Sequence, residues 1–178
     1  MATWPDNMRL SFNLSAYDVT NQAVIKALIG MMHTSQLAPD RFVFEITETA
    51  LLQDFETARD NIGLLRKAGA KVALDDFGTG YSSLSHVQNL PLDKLKIDRS
   101  FVKDIETNTT SQTIVRSILA LCHGMHMECV AEGAETESQV RFLQAMGCQL
   151  IQGYYFAKPM PKEQVQAYLA DTKLIPTT

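Results

Sequence analysis

Two periodicities alternate along this chain. Short apolar runs carrying an acid, an amide or a lysine toward the carboxyl end read as strands: Leu10–Asn13, Phe42–Thr47, Val72–Asp76, Leu92–Lys96, Met127–Glu132 and Gln149–Gln152. Between them the spacing turns helical. Leu51, Phe55, Ala58, Ile62 and Leu65 recur at i, i+4, i+7, i+11 and i+14, and Gly69 stands where a left-handed cap closes a helix. Val24, Leu28 and Met31 mark an earlier helix, and Ile114, Ile118 and Leu121 a later one. Thr136 with Gln139 forms a capping-box pattern for a helix that stops at Gly147, and Pro161 opens a last helix through Val165, Tyr168 and Leu169.

This order is βα repeated six times, which predicts an α/β fold with a parallel sheet covered by helices. A doubly wound sheet and a (βα) barrel both fit the order. The two faces of the strands favour the barrel: Phe42, Phe44 and Ile46 share the side that suits helix packing, while Val43, Glu45 and Thr47 share the other. Leu95 and Ile97 likewise oppose Lys94, Lys96 and Asp98. Polar residues inside a strand need water, metal or a partner in front of them, which the mouth of a barrel supplies. A usual TIM barrel has eight strands and about 250 residues. The expectation is therefore one domain over residues 1–178, an incomplete TIM-like barrel of about six βα units belonging to a longer protein.

Composition narrows the partners. A hydrophobic content of 46% suffices for one ordinary core, while the net charge of -4 and pI near 5.5 give no global basic field, so no nucleic acid polymer is expected. No apolar run approaches the roughly 18 residues of a membrane span, and no secretory signal opens the chain. No membrane contact by this segment is expected, and a cytoplasmic location follows, alone or as the cytoplasmic part of a membrane-bound sensor. Cys122, Cys129 and Cys148 form no CxxC pair and read as reduced core thiols. His33, His86, His123 and His126 read as core or surface residues, and Arg99–Glu106 as a solvated helix start.

The carboxyl ends of parallel strands all converge on one face, so Asn13, Glu45, Asp75, Asp76, Lys96, Glu132 and Gln152 are expected to meet there. Two consecutive acids at a strand end repel each other unless a cation relieves them; Asp75 and Asp76 leave a regular strand on opposite sides and so fit two ions, or one ion and a lysine. An Asx turn with a solvated second acid is the plainer alternative. Carboxylate and amide oxygens without His or Cys suit a hard cation, Mg²⁺ or Mn²⁺, and two such ions serve in-line phosphoryl displacement. Lys96 stands beside them, either to counter phosphate charge or as part of an ion pair. Phe77–Ser83, with Gly78 and Gly80, is a phosphate-positioning or gating loop, or a plain turn. After Gln152, Tyr154 and Tyr155 offer stacking surface or packing.

Six ordered segments, Asn13-Leu14-Ser15, Glu45-Ile46-Thr47-Glu48, Asp75-Asp76-Phe77-Gly78-Thr79-Gly80-Tyr81-Ser82-Ser83, Lys96-Ile97-Asp98-Arg99-Ser100-Phe101, Ala131-Glu132-Gly133-Ala134-Glu135-Thr136 and Gln152-Gly153-Tyr154-Tyr155-Phe156, resemble the EAL family of bacterial cyclic-di-GMP phosphodiesterases over nearly the whole chain. The resemblance implies that Asn13, Glu45 and Asp75 ligate a first metal and Asp76 a second metal or the water between. It implies that Lys96 and Glu132 orient or deprotonate the attacking water, with Asp76 beside them, and that Gln152 lies by the second metal or the substrate. Glu48 would brace the loop that holds Gly78, Gly80, Tyr81 and Ser82, with Asp98 and Glu135 close behind the ligands.

The implied reaction opens cyclic-di-GMP to linear pGpG with Mg²⁺ or Mn²⁺. A homodimer and an upstream sensor or GGDEF domain are the partners it implies. The family's Glu-Ala-Leu segment does not occur in this sequence, so one ligand of the two-metal site is expected to be missing and the segment to be inactive by itself. Two other readings remain open: a binding-only cyclic-di-GMP module, and an enolase-like barrel in which Lys94 and Lys96 face Mg²⁺-binding acids.

Overall fold

A computed structural model of the chain describes residues 8–78 and 84–171. Six strands, β1 (Leu10–Leu14), β2 (Phe42–Thr47), β3 (Lys71–Phe77), β4 (Lys94–Ile97), β5 (Glu128–Glu132) and β6 (Leu150–Gln152), lie side by side in sequence order, every neighbouring pair parallel. Sequential order without reversal curls the sheet into an incomplete barrel rather than a doubly wound sheet, whose order reverses at a switch point. Each strand lies within two residues of its expected bounds at either end.

The helices are α1 (Ala16–Thr20), α2 (Gln22–Thr34), α3 (Phe55–Lys67), α4 (Leu84–Asn89), α5 (Arg99–Val102), α6 (Thr109–Gly124), α7 (Glu137–Ala145) and α8 (Lys162–Asp171). α2, α3, α6 and α7 supply Ile25, Met32, Ile62, Leu65, Val115, Ile118 and Leu143 to a contiguous core with Phe44, Ile46, Leu74, Leu95 and Ile97 from the strands. Burying each such side chain contributes roughly 1.5–3 kcal/mol. Phe44, Ile46, Leu95 and Ile97 are residues whose alternation assigned them to the helix-facing side, and Leu74 of β3 joins them. The other face, carrying Val43, Glu45, Thr47, Ala73, Lys94, Lys96 and Glu128, lines the barrel interior, as the registers Glu45↔Ala73, Ala73↔Lys94 and Lys94↔Glu128 show.

Local chemistry sets the helix ends. Asp54 accepts a hydrogen bond from the Thr57 N–H and starts α3 there, so Leu51 is not in this helix: it belongs to a separate 3-10 segment, Glu48–Leu52. Its apolar phase continues because both segments pack on one core. Thr136 and Gln139 close the expected capping box of α7, and Gly69 (φ +94°) ends the turn after α3. Arg99–Glu106 is less solvated than its charges suggest, because Val102 and Ile105 within it are fully buried.

Candidate active site

β4 delivers Lys96 to the barrel interior, where its side chain is 7% exposed. Its ammonium donates to Glu45 Oε2 at 2.7 Å and lies 2.8 Å from Glu132 Oε1 and 3.0 Å from Asp75 Oδ1. Three strands, β2, β3 and β5, thus place a carboxylate against one nitrogen. Burial alone lowers a lysine's pKa, but the hydrogen bonds and charges of Glu132 and Glu45 outweigh it and hold Lys96 above its ordinary range. Lys96 is therefore a fixed cation.

The pairing of β3 with β4 slips between Leu74 and Phe77, and within that irregularity Asp76 takes a left-handed φ of 54°. Such a backbone costs about 1–3 kcal/mol for a residue other than glycine. It corrects the expectation that Asp75 and Asp76 diverge: the twist swings Asp76 back, its N–H donates to Asp75 Oδ1 at 3.0 Å, and one oxygen each from Asp75, Asp76 and Glu132 lie within 4.8 Å of one another. Burial, then the charges of Asp75 and Asp98, raise the Asp76 carboxyl against the pull of Lys96 and Arg99. Burial also raises Glu132, beyond what its bond to Lys96 takes back.

The remaining candidates fall around this centre. Asn13 stands opposite Glu45 across β1–β2, and Gln152 opposite Glu132 across β5–β6, each on the interior face. Glu48 is buried directly after β2. Asp98 caps α5 through the Ser100 N–H and, with Glu135, lines the cleft beside Asp76 and Glu132. Gly78 has φ +100° and no room for a Cβ, which would lie 2.8 Å from the Phe101 ring. Gly80, Tyr81 and Ser82 lie outside the described residues. Lys94 does not join Lys96: it pairs with Glu128 nearer the amino end of the strands, which removes the geometric basis of an enolase-like lysine pair.

The cleft over this rim encloses about 910 Å³, within the range of small-molecule sites. Sequence reasoning missed Arg99 and Lys158, which also line it. Arg99 was discernible as the residue following the rim acid Asp98. Lys158, whose ammonium lies 5.8 Å from the centre of the Tyr154 ring, had no local signal. Gly133 (φ +76°) and Gly153 allow the cleft's walls to meet: a Cβ on Gly133 would lie 2.5 Å from Arg99 Cβ, and one on Gly153 2.1 Å from the Ala134 carbonyl oxygen.

The EAL domain family matches residues 1–159. The chain belongs to the EAL domain family. Cyclic di-GMP phosphodiesterase NbdA of Pseudomonas aeruginosa is 35% identical over 164 residues, covering 92% of this chain and 21% of that protein. Among solved structures, the EAL domain of Mycobacterium smegmatis DcpA superposes with a TM-score of 0.87 at 39% identity, covering 92% of this chain and 74% of that one. Klebsiella pneumoniae BlrP1, in a manganese and cyclic-di-GMP complex, gives 0.79 at 36% identity, covering 85% and 39% respectively. The chain spans about a fifth to a quarter of the length of the curated relatives it matches.

This EAL domain's acidic rim fits a divalent cation on its own chemistry. Its donors are all oxygen, its carboxylates crowd one another, and Lys96 meets three of them with one positive charge.

Proposed function

We propose that this domain is a metal-dependent phosphodiesterase that opens cyclic-di-GMP to linear pGpG. The observation that carries the reading is the meeting of Asp75, Asp76 and Glu132 with the buried Lys96 at the carboxyl rim of an EAL-family barrel. Asp75 and Asp76 would hold Mg²⁺ or Mn²⁺, with Glu45 and Asn13 completing the site from β2 and β1, and Glu132 would stand beside them. When bound, such an ion makes water a nucleophile near neutral pH and steadies charge on the phosphodiester oxygens.

The chain's own groups do the rest. Lys96, locked by three carboxylates, presents a fixed positive charge to the anionic phosphodiester without reorganising during reaction. Glu132, with its carboxyl shifted upward by burial, is suited to take the proton that leaves the attacking water. That water's oxygen bonds to phosphorus, one ring P–O bond breaks, and the leaving sugar oxygen takes up the proton that Glu132 received from the water. Arg99 and Lys158 draw the dianionic substrate into the cleft, and the exposed Tyr154 ring offers a base a stacking surface.

The test is chromatographic detection of pGpG from cyclic-di-GMP with Mn²⁺, using the full-length polypeptide that contains this domain. Asp76→Asn and Lys96→Ala are expected to lower kcat by at least about 100-fold. Undiminished turnover in either variant would overturn the assignment, and nucleotide binding without turnover in the parent would replace it with a binding module.

A further inference from the structure

At the end of the barrel opposite the carboxylate rim, the starts of β1, β3, β4 and β5 open onto a second cavity of about 420 Å³. Four permanent bases and two acids line it, in a chain whose net charge is -4. Each acid is held by two bases. Asp93, one residue before β4, accepts from the Arg66 guanidinium and the Lys71 ammonium at 3.1 Å and from the Val72 N–H at 3.0 Å. Glu128 pairs with Lys94 and lies 3.7 Å from the Arg9 guanidinium. The backbone joins the two clusters, since the Glu128 N–H donates to the Asp93 carbonyl at 2.9 Å.

The acids of this floor are thus matched with two positive charges to spare. A guanidinium carries five N–H groups. Arg66 turns two of its three nitrogens to Asp93, and Arg9 stands beyond hydrogen-bond distance of Glu128. The side chains of Arg9, Arg66 and Lys71 are 46%, 39% and 39% exposed, so a solute reaches them, while Lys94, at 11%, is fixed in the inner wall. A network that only locks the strand starts needs one base for each acid. The second base at each carboxylate adds repulsion between like charges, which a bound anion removes.

We propose that this floor binds a dianionic phosphoryl group, either inorganic phosphate or the terminal phosphate of a mononucleotide. Arg9 and Arg66 offer planar N–H pairs that suit phosphate oxygens, and Lys71 adds a point charge beside them. The cavity falls within the range of small-ligand sites, about 300–1,000 Å³, which leaves room for a nucleoside behind the phosphate. It selects a different species from the one proposed for the rim. A phosphodiester carries one charge, whereas a phosphate monoester approaches two near neutral pH.

Isothermal titration of the full-length polypeptide that contains this domain, at constant ionic strength and before any divalent metal or cyclic dinucleotide is added, tests the site independently of the phosphodiesterase reading. Saturable binding of inorganic phosphate and of GMP is expected, with guanosine inert. Affinity for both is expected to fall at least about 10-fold in Arg9→Gln and in Lys71→Gln, and to stay unchanged in Arg99→Gln at the other mouth of the barrel. Phosphate is likewise expected to raise the Tm of the parent and not of Arg9→Gln. GMP bound more tightly than phosphate assigns the occupant as a nucleotide, and GMP bound no more tightly assigns it as the inorganic ion. The absence of saturable binding below about 10 mM, equal affinity in the parent and both floor variants, loss of binding in Arg99→Gln, or guanosine bound as well as GMP would each overturn the proposal.

Discussion

Replacing Lys96 by methionine keeps the stem and removes the charge from the centre of Glu45, Asp75 and Glu132. Bonds to charged groups contribute roughly 1.5–3 kcal/mol each, so three give a gross gain of about 4.5–9 kcal/mol. Burying the ammonium costs several kcal/mol in return, and the expected loss on replacement is about 3 kcal/mol, near the lower end for breaking a buried pair. The lower end applies because the three carboxylates keep 13%, 14% and 18% side-chain exposure and can recover some hydration. For a domain of this size that is roughly 6–12 °C in Tm. Urea denaturation at pH 7.5 measures it, and Mn²⁺ is expected to restore part of the loss, because a divalent ion meets the same uncompensated acids. A Lys96→Met protein within about 0.5 kcal/mol of the parent and indifferent to Mn²⁺ would refute the fixed-cation reasoning.

Other outcomes follow from single positions. Gly153→Ala is expected to destabilise by about 3 kcal/mol, since its Cβ meets the Ala134 backbone rather than a movable side chain, while Gly63→Ala inside α3, with open space around it, is expected to stabilise by about 0.5–1 kcal/mol; thermal melts of both check the contrast. Asp93 is held below its ordinary pKa: burial acts to raise it, but the Val72 N–H, the Lys71 ammonium and the Arg66 guanidinium prevail. Its contribution is therefore present above the unfolded value of 3.8 and lost as pH falls through the lower folded value, so Asp93→Asn is expected to cost about 1.5–3 kcal/mol at pH 7 and progressively less below pH 3.8 in a denaturation series. A gap that stayed constant with pH would exclude that origin.

Much of the barrel was legible because period two and period 3.6 rarely mimic each other over these lengths, and because the strand ends carried their chemistry with them. Glu45 and Lys96 could be assigned to the face opposite the helices from alternation, and Glu132 to the same rim from its place at a strand end. The angle of Asp76 could not: regular alternation sends it away from Asp75, and only the slip against β4 with a positive φ returns it. No residue type signals that, since Asp is tolerated rather than favoured there. Leu51 misled for a related reason, because apolar phase survives a helix break whenever both pieces cover one core. Lys158 was invisible because its neighbourhood with Tyr154 is set by the chain's course after β6 and not by any period.

The two interior lysines of β4 show how one strand separates scaffold from chemistry. Lys94 and Lys96 share a face about 6.6 Å apart along the strand. Lys94 meets Glu128, which also lies 3.7 Å from Arg9, so the acids at that level are matched by bases. One level higher, Lys96 faces Glu45, Asp75 and Glu132 with Asp76 close by, and acids outnumber bases. Charge balance at one level and deficit at the next mean that a hard cation gains most at the carboxyl rim and little below it. Adding Mn²⁺ is accordingly expected to protect Asp75 to Phe77 and Val130 to Glu132 from amide hydrogen exchange more than Lys94 and Glu128 to Cys129. Uniform protection along β4 and β5 would mean that the ion does not bind where the acids are in excess.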